Sequence, residues 1–400
     1  MSPKHSPEQP TAVAKRALET KSFIVFDIFE RAYEMGLKGR RPILLAVGEP
    51  DFETPLEIIE ACKKAMADGH TRYTHSLGII QLREAIAEDY FKRCRVQVDP
   101  GRIMVCSGTS PAMWMLFGAL LEQGDEVILS DPGYPCYPSF IKYVGGEVVR
   151  VSVREEEGFV YLPEDIAERI TERTKGIMIN SPGNPTGTIM PPERMAAIAG
   201  LGPAVISDEI YHGLVYEGEA HSILEYDPDA FVLNGFSKRY AMTGWRLGYL
   251  IAPAHFMRPL QNVQQNFQIS VNTFAQYGAL AALTDPAVER RVREMVDTFN
   301  KRRRYLVERL RKMGFSIVVE PTGAFYVFAN ARRFTSDTYN FAFDCLERAE
   351  VGVTPGVDFG PGGEGFIRFS YANSMEKIEE GLNRLEKYLI MIAEERRNRP

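Results

Sequence analysis

Phe231-Val232-Leu233-Asn234-Gly235-Phe236-Ser237-Lys238-Arg239-Tyr240-Ala241-Met242-Thr243-Gly244-Trp245-Arg246-Leu247-Gly248-Tyr249-Leu250-Ile251-Ala252 joins two short apolar runs through a segment carrying Lys238 and Arg246. Apolar runs of this length, bounded by glycine and small residues, read as strands buried on both faces. Lys238 then falls at a strand end, inside the fold. A lysine amine in apolar surroundings loses hydration of its charged form, so its pKa drops and the free base can attack a carbonyl. Arg246 adds a permanent cation whose fork of donors suits a phosphate. A lone lysine and arginine at this distance would ordinarily be solvated charges; the flanking strands argue for an aldehyde anchor beside a phosphate clamp.

The same alternation extends outward. Between about Glu57 and Thr284, helical patterns separate the apolar runs Ile103 to Cys106, Glu126 to Ser130, Gly176 to Asn180, Ala204 to Ser207, Phe231 to Leu233 and Gly248 to Ile251. Such a pattern predicts an α/β fold with a mainly parallel sheet covered by helices on both sides. Before it, a helix is expected from Ser22 to Met35 and a strand from Ile43 to Val47, running into the turn Gly48-Glu49-Pro50-Asp51. After it, a long helix from about Pro286 to Met313 leads to expected strands at Phe315 to Val319 and Ala324 to Phe328, a helix, a strand at Phe366 to Ser370 and a terminal helix. The expected division is a loose arm (1–20), a first part of a small α+β domain (21–56), a large domain (57–290) and the rest of the small domain (291–400). No internal repeat is visible.

With 400 residues, 45% of them hydrophobic, the chain can bury a large core. Lysine and arginine (47) are outnumbered by aspartate and glutamate (53), for a net charge of -6, which argues against a nucleic-acid partner. The basic run Lys301 to Arg304 follows Glu289, Glu294 and Asp297 on one expected helix and reads as a solvated face. Cys62, Cys94, Cys106, Cys136 and Cys345 are scattered without metal-ligand spacing, which fits a reduced compartment. No metal site is expected. The start of the chain has no apolar signal core and no segment reaches the length of a membrane span, so a soluble, cytoplasmic protein is expected.

In open α/β sheets ligands sit beyond the carboxyl ends of the strands, and four strand ends carry suggestive residues. After Cys106 come Ser107-Gly108-Thr109-Ser110-Pro111 and an apolar helix, with Ser110 the expected cap and the first amides an anion site. A capped helix is the ordinary reading of that segment taken alone. After Ser130 come Asp131-Pro132-Gly133-Tyr134, an ordinary proline turn unless Tyr134 offers a flat face to an aromatic ligand. After Asn180 comes Ser181-Pro182-Gly183-Asn184-Pro185-Thr186-Gly187, where the Asn184 amide could donate to a phenolic oxygen. Asp208 ends another strand ahead of Glu209-Ile210-Tyr211, and a carboxylate there asks for a cation such as a protonated ring nitrogen.

Together these segments resemble the class I, fold-type I aminotransferases that use pyridoxal 5′-phosphate, and the aspartate and aromatic aminotransferases among them. The resemblance runs from Val47-Gly48-Glu49-Pro50-Asp51-Phe52 through Arg72-Tyr73-Thr74, Asn184-Pro185-Thr186-Gly187 and the lysine segment to Ile367-Arg368-Phe369-Ser370. It implies a seven-stranded sheet and a ping-pong transfer of an amino group from an L-amino acid to a 2-oxo acid, with 2-oxoglutarate the expected acceptor. Lys238 would hold the cofactor as a Schiff base and shuttle the Cα proton. Asp208 would keep the ring nitrogen protonated, Tyr211 and Asn184 would bond its phenolic oxygen, and Tyr134 would stack on it. Gly108, Thr109, Ser110, Ser237 and Arg246 would hold the phosphate, and Tyr73 would reach the neighbouring site of a homodimer. Arg368 would pair with the substrate α-carboxylate, with Gly48, Asn184 and Tyr134 completing that site. Many relatives carry serine or threonine three residues before the lysine; here Gly235 stands there. A carbon-sulfur β-lyase on the same fold is the nearest alternative, and a cofactor-sensing regulator a remote one. A dinucleotide-binding sheet is opposed by the lack of a Gly-x-Gly-x-x-Gly after the first large-domain strand.

Overall fold

A computed structural model describes residues 13–398. In chain order its strands are β1 (Ile43–Leu44), β2 (Ile103–Cys106), β3 (Glu126–Asp131), β4 (Glu147–Ser152), β5 (Thr174–Asn180), β6 (Ala204–Asp208), β7 (Phe231–Gly235), β8 (Gly248–Ile251), β9 (Tyr326–Asn330), β10 (Val351–Gly352), β11 (Thr354–Pro355) and β12 (Phe366–Ser370). Seven of them form one sheet in the order β2-β8-β7-β6-β5-β3-β4. From β4 to β7 neighbouring strands are parallel, while β8 runs antiparallel to both β7 and β2. This is the α/β arrangement expected from the apolar runs. The strand missing from those runs is β4: its edge position leaves Glu147, Arg150 and Ser152 exposed or half-exposed, so it lacks the continuous apolar signature of a covered strand.

Register decides where the chemistry sits. Gly248 pairs with Cys106 on one side and Gly235 on the other, and Asp208 pairs with Leu233 and Asn180. The carboxyl ends of the parallel strands therefore present Asn180, Asp208 and Gly235 along one edge. Helix Thr109–Leu120 lies against this sheet through Ala112, Met113, Met115, Leu116 and Phe117. Fully burying each large apolar side chain contributes roughly 1.5–3 kcal/mol, which holds the helix start against the sheet end.

A separate core gathers Ile28, Ala32, Met35 and Leu45 from the beginning of the chain with Phe299, Leu306, Phe325, Ile367 and Leu385 from its end. Strand β1 pairs with β10, and β11, β12 and β9 make a second small sheet. The helix near the start spans Ile24–Leu37, and the long helix Pro286–Met313 has the expected limits. Residues 1–12 of the expected loose arm lie outside the described residues, and Lys15–Leu18 within it forms one helical turn.

Three expectations are corrected. The strand expected at Phe315 to Val319 is reduced to one bridge, Ser316 to Asn330, because Val318 and Val319 turn outward without a partner strand; its neighbour shifts to β9. The strand expected at Ile43 to Val47 stops at Leu44, since the carbonyl of Leu45 accepts from Ser370 N and that of Ala46 from the Arg368 guanidinium. In the basic run, Lys301 and Arg304 are exposed as expected, but Arg302 and Arg303 are buried. Arg302 bonds Asp51 at 2.7 Å and lies over Phe52, while Arg303 donates to Pro321 O and pairs with Glu217. The long helix is thereby tied to the turn that carries Gly48.

Candidate active site

Above the strand ends lies a cleft of about 650 Å³. Lys238, Asp208, Tyr211, Asn184, Tyr134, Thr109, Ser110, Arg246, Ser237, Arg368 and Gly48 all line it, brought together from segments far apart in the chain. Gly108 adjoins the lining through Arg246, as described below. Tyr73 does not line it and is 79% exposed.

Lys238 follows β7 by three residues and is half-buried, its Nζ donating to the carbonyl of Gly48 at 2.6 Å. Burial pushes its pKa down from 10.5 to about 8; Glu49 and Asp208 oppose that shift, whereas Arg246 and Arg368 add to it. Asp208, at the end of β6, is 4% exposed and has neutral partners within the chain. The hydroxyl of Tyr137 donates to its Oδ2 at 2.7 Å, and Ile210 N to its Oδ1 at 3.2 Å. Burial raises its pKa from 3.8 to about 6, against the pull of Tyr137, Ile210 and Lys238. A buried carboxylate with no paired cation is poised to receive one.

A helix start and a cation lie together at the cleft. The helix Thr109–Leu120 starts at the cleft with Gly108 as its cap, at φ 96°, not with the expected Ser110; Ser110 and Pro111 lie inside the first turn. Its first amides lack helical partners and face an end carrying partial positive charge. A Cβ on Gly108 would sit 2.7 Å from Nη2 of Arg246, so only glycine lets the guanidinium close over the helix start. Arg246 itself is anchored by its Nη1, which donates to Thr243 O at 3.0 Å.

The departure at Gly235 has a structural cause. Gly235 faces Gly248 across β7 and β8, and a Cβ there would lie 2.9 Å from Gly248 Cα and 3.0 Å from Leu247 O. Serine or threonine at that point would force the two strands apart. Ser237, one residue before the lysine, lines the cleft instead.

On the far side, Arg368 projects from β12 and is 2% exposed. Its Nη1 donates to Asn184 Oδ1 at 2.9 Å, and its Nη2 to Ala46 O at 2.8 Å and Thr354 Oγ1 at 3.1 Å. The guanidinium lies over the rings of Tyr326 and Phe359, at 4.4 and 5.0 Å. Its Nε is buried with no partner, which leaves a donor free for an incoming anion. Tyr211 pairs hydroxyl to hydroxyl with Tyr326 at 2.9 Å, and Tyr134 meets Tyr137 edge to face at 5.1 Å.

Tyr137, Tyr326 and Phe23 are cleft residues that the sequence reading passed over. Tyr137 carried a weak signal, three residues after Tyr134 in the same turn. Tyr326 sits in a run expected as a plain strand, and Phe23 precedes a helix from the opposite end of the chain. Their place in the site depends on tertiary contacts that no local pattern encodes.

The model of the class I and II aminotransferases matches residues 40–385. A (5-formylfuran-3-yl)methyl phosphate transaminase of Methanocaldococcus jannaschii is 39% identical over 380 residues, covering 94% of this chain and 99% of its own. A probable aspartate/prephenate aminotransferase of Aquifex aeolicus is 41% identical over 391 residues, covering 94% and 98%. The solved structure of aspartate aminotransferase from Thermus thermophilus with maleate has a TM-score of 0.91 at 37% identity, covering 94% and 99%. The chain belongs to the class I and II aminotransferases, enzymes that use pyridoxal 5′-phosphate to move an amino group from an amino acid to a 2-oxo acid.

Proposed function

We propose that the cleft above β6 and β7 is the site of this transfer and that Lys238 is its catalytic residue. The observation that carries the reading is the setting of one half-buried amine: Lys238 faces a cleft with a buried carboxylate, Asp208, a cation at a helix start, Arg246, and a second cation with a free buried donor, Arg368. These residues fit pyridoxal phosphate. The helix amides after Gly108, with the Arg246 guanidinium close beside them, suit the phosphate, and Asp208 lacks the cation that a protonated ring nitrogen would provide. Thr109, Ser110 and Ser237 supply hydroxyls to the phosphate, Tyr211 and Asn184 donors to the phenolic oxygen, and Tyr134 a face for the ring. When bound, the cofactor supplies a ring that withdraws the electron pair left at Cα.

The remaining work belongs to the chain. Arg368, held by Asn184, Ala46 and Thr354, orients the α-carboxylate of the amino acid, with Gly48 beside it. Lys238 Nζ then takes the Cα proton and gives it back on the return. One pocket serves donor and acceptor in turn. Gly108→Ala should weaken uptake of pyridoxal phosphate by the apoprotein by about tenfold or more, the equivalent of roughly 1.4 kcal/mol, because the methyl displaces Arg246; fluorescence titration of the apoprotein measures it.

Tyr73, largely exposed and outside this chain's cleft, supports a homodimer in which it reaches the neighbour's phosphate. The division into 21–56 and 291–400 as one domain around 57–290 rests on the core that gathers both chain ends, apart from the two cores of the large sheet. Among the described residues no helix is long and apolar enough to cross a membrane, and a cytoplasmic location is part of the proposal.

The test is transfer itself. Purified protein loaded with pyridoxal phosphate should convert an L-amino acid and 2-oxoglutarate or pyruvate into glutamate or alanine, at equal rates of donor loss and product gain. Release of pyruvate and ammonia without any acceptor would overturn the reading in favour of a lyase.

A further inference from the structure

The charged groups lining the cleft are few, and each cation already has a task. Among the described lining residues the cations are Lys238, Arg246 and Arg368, and the anions are Glu49 and Asp208. In the proposed function these cations take the aldehyde, the phosphate and the α-carboxylate. None of this chain's own cations in the described lining is left for a second carboxylate on the substrate. Glu49, whose Oε2 accepts from Thr243 Oγ1 at 2.9 Å, would repel one.

One side of the wall is apolar and aromatic. Phe23, Val25, Phe26 and Phe29 come from the segment that opens helix Ile24–Leu37, and Val47 and Tyr134 stand beside them. The rings meet edge to face in a chain: Tyr134 to Phe23 at 6.1 Å, Phe23 to Phe26 at 5.5 Å and Phe26 to Phe29 at 6.0 Å. Phe26 is 56% exposed, which leaves part of its ring open at the cleft. The segment is also pinned in place, with Ile24 N and Val25 N donating to the carboxylate of Asp358 at 2.9 and 3.3 Å.

Resting on the proposed function, we infer that this wall receives the substrate side chain and selects amino acids with aromatic or large aliphatic side chains over aspartate and glutamate. An apolar side chain gains by covering Phe23 and Phe26, whereas a carboxylate would lose water there without a counter-charge. Because one pocket serves both half-reactions, the acceptors rank in the same order. Phenylpyruvate outranks 2-oxoglutarate, which turns over more slowly.

Steady-state kcat/KM values for phenylalanine, tyrosine, leucine, aspartate and glutamate test the inference. Phenylalanine is expected to exceed aspartate by about 100-fold, the scale of discrimination a pocket achieves by shape and apolar fit. A binding readout independent of turnover is the spectral change of the loaded protein on titration with 3-phenylpropionate or maleate, the former binding more tightly. Phe26→Arg, a substitution at a position 56% exposed, should lower the phenylalanine-to-aspartate ratio at least 30-fold. If the protein transaminates but prefers aspartate, or binds maleate more tightly than 3-phenylpropionate, this inference falls and the proposed function stands. If no donor is converted and no pyridoxal phosphate is retained, both fall.

Discussion

Lys238→Ala should abolish transamination, lowering kcat by about 10⁴-fold or more, at or beyond the upper end of what a positioned acid-base group contributes, because in its proposed role the same amine also bonds the cofactor. A readout apart from turnover accompanies it. Wild-type protein treated with borohydride should keep a pyridoxyl group through denaturation, seen as a mass increase on the peptide containing Lys238, and the alanine variant should keep none. The pH dependence follows from the setting of the amine. Burial lowers its pKa from 10.5 to about 8, so the reactive neutral form grows as pH rises and levels off above about 8. Uptake of pyridoxal phosphate by the apoprotein should therefore quicken up to about pH 8 and plateau, where an ordinary surface lysine would still be gaining at pH 10. Stability has the matching sign. The folded pKa lies below the unfolded one, so between about 8 and 10.5 the unfolded chain binds more protons and stability rises with pH; below about 8 the cost of burying the charge is fully present. The apoprotein of Lys238→Met should accordingly melt a few degrees higher than wild type at pH 7. A variant with wild-type turnover, or a label that persists in Lys238→Ala, would remove Lys238 from its proposed role.

The legible part of this molecule was the part written locally. Strands β2, β3, β5, β6, β7 and β8 showed themselves as apolar runs because both their faces are covered, and the residues that follow them stand at the sheet's carboxyl edge by the geometry of parallel strands. That is why Lys238, Asp208, Asn184 and Tyr134 stand out in the sequence, and why they share one cleft. Elements whose character depends on distant partners were harder to see. Edge strand β4 has a mixed face, and the run from Phe315 to Val319 has strand composition but no partner beyond one bridge. Arg302 and Arg303 looked solvated by spacing, yet Asp51, Glu217 and the rings of Phe52 and Tyr216 take them in. The cap of helix Thr109–Leu120 departs from the pattern for a similar reason. Ser110 has the right side chain, but the approach of Arg246 requires the bare backbone of Gly108 at the turn. Phe23 and Phe26, which line the cleft, belong to a segment whose own sequence shows only an amphipathic helix.

Asp208→Asn is expected to lower kcat by about 10³-fold while leaving the protein folded, on the scale of losing one preorganised electrostatic partner. The amide fills the same space but cannot hold a proton on a ring nitrogen, so the ring loses most of its pull on the electron pair at Cα. The stability argument separates this from unfolding. Burial raises the Asp208 pKa from 3.8 to about 6, so the folded chain binds the extra proton between those values, and the cost of the buried charge, absent below about 3.8, is complete above about 6. Asparagine removes that cost, and the apoprotein of the variant should melt no lower than wild type at pH 7.5. Tyr137 gives an independent handle on the same carboxylate. Its hydroxyl donates to Asp208 Oδ2 at 2.7 Å and favours the charged form, so Tyr137→Phe should raise the Asp208 pKa further and move the acid limb of the apoprotein's cofactor binding to higher pH. A phenylalanine variant with an unshifted limb would mean that Tyr137 only fills space. An asparagine variant within tenfold of wild type would remove Asp208 from its proposed role, for which it is the candidate because no other carboxylate among the described cleft residues lies buried, Glu49 being exposed.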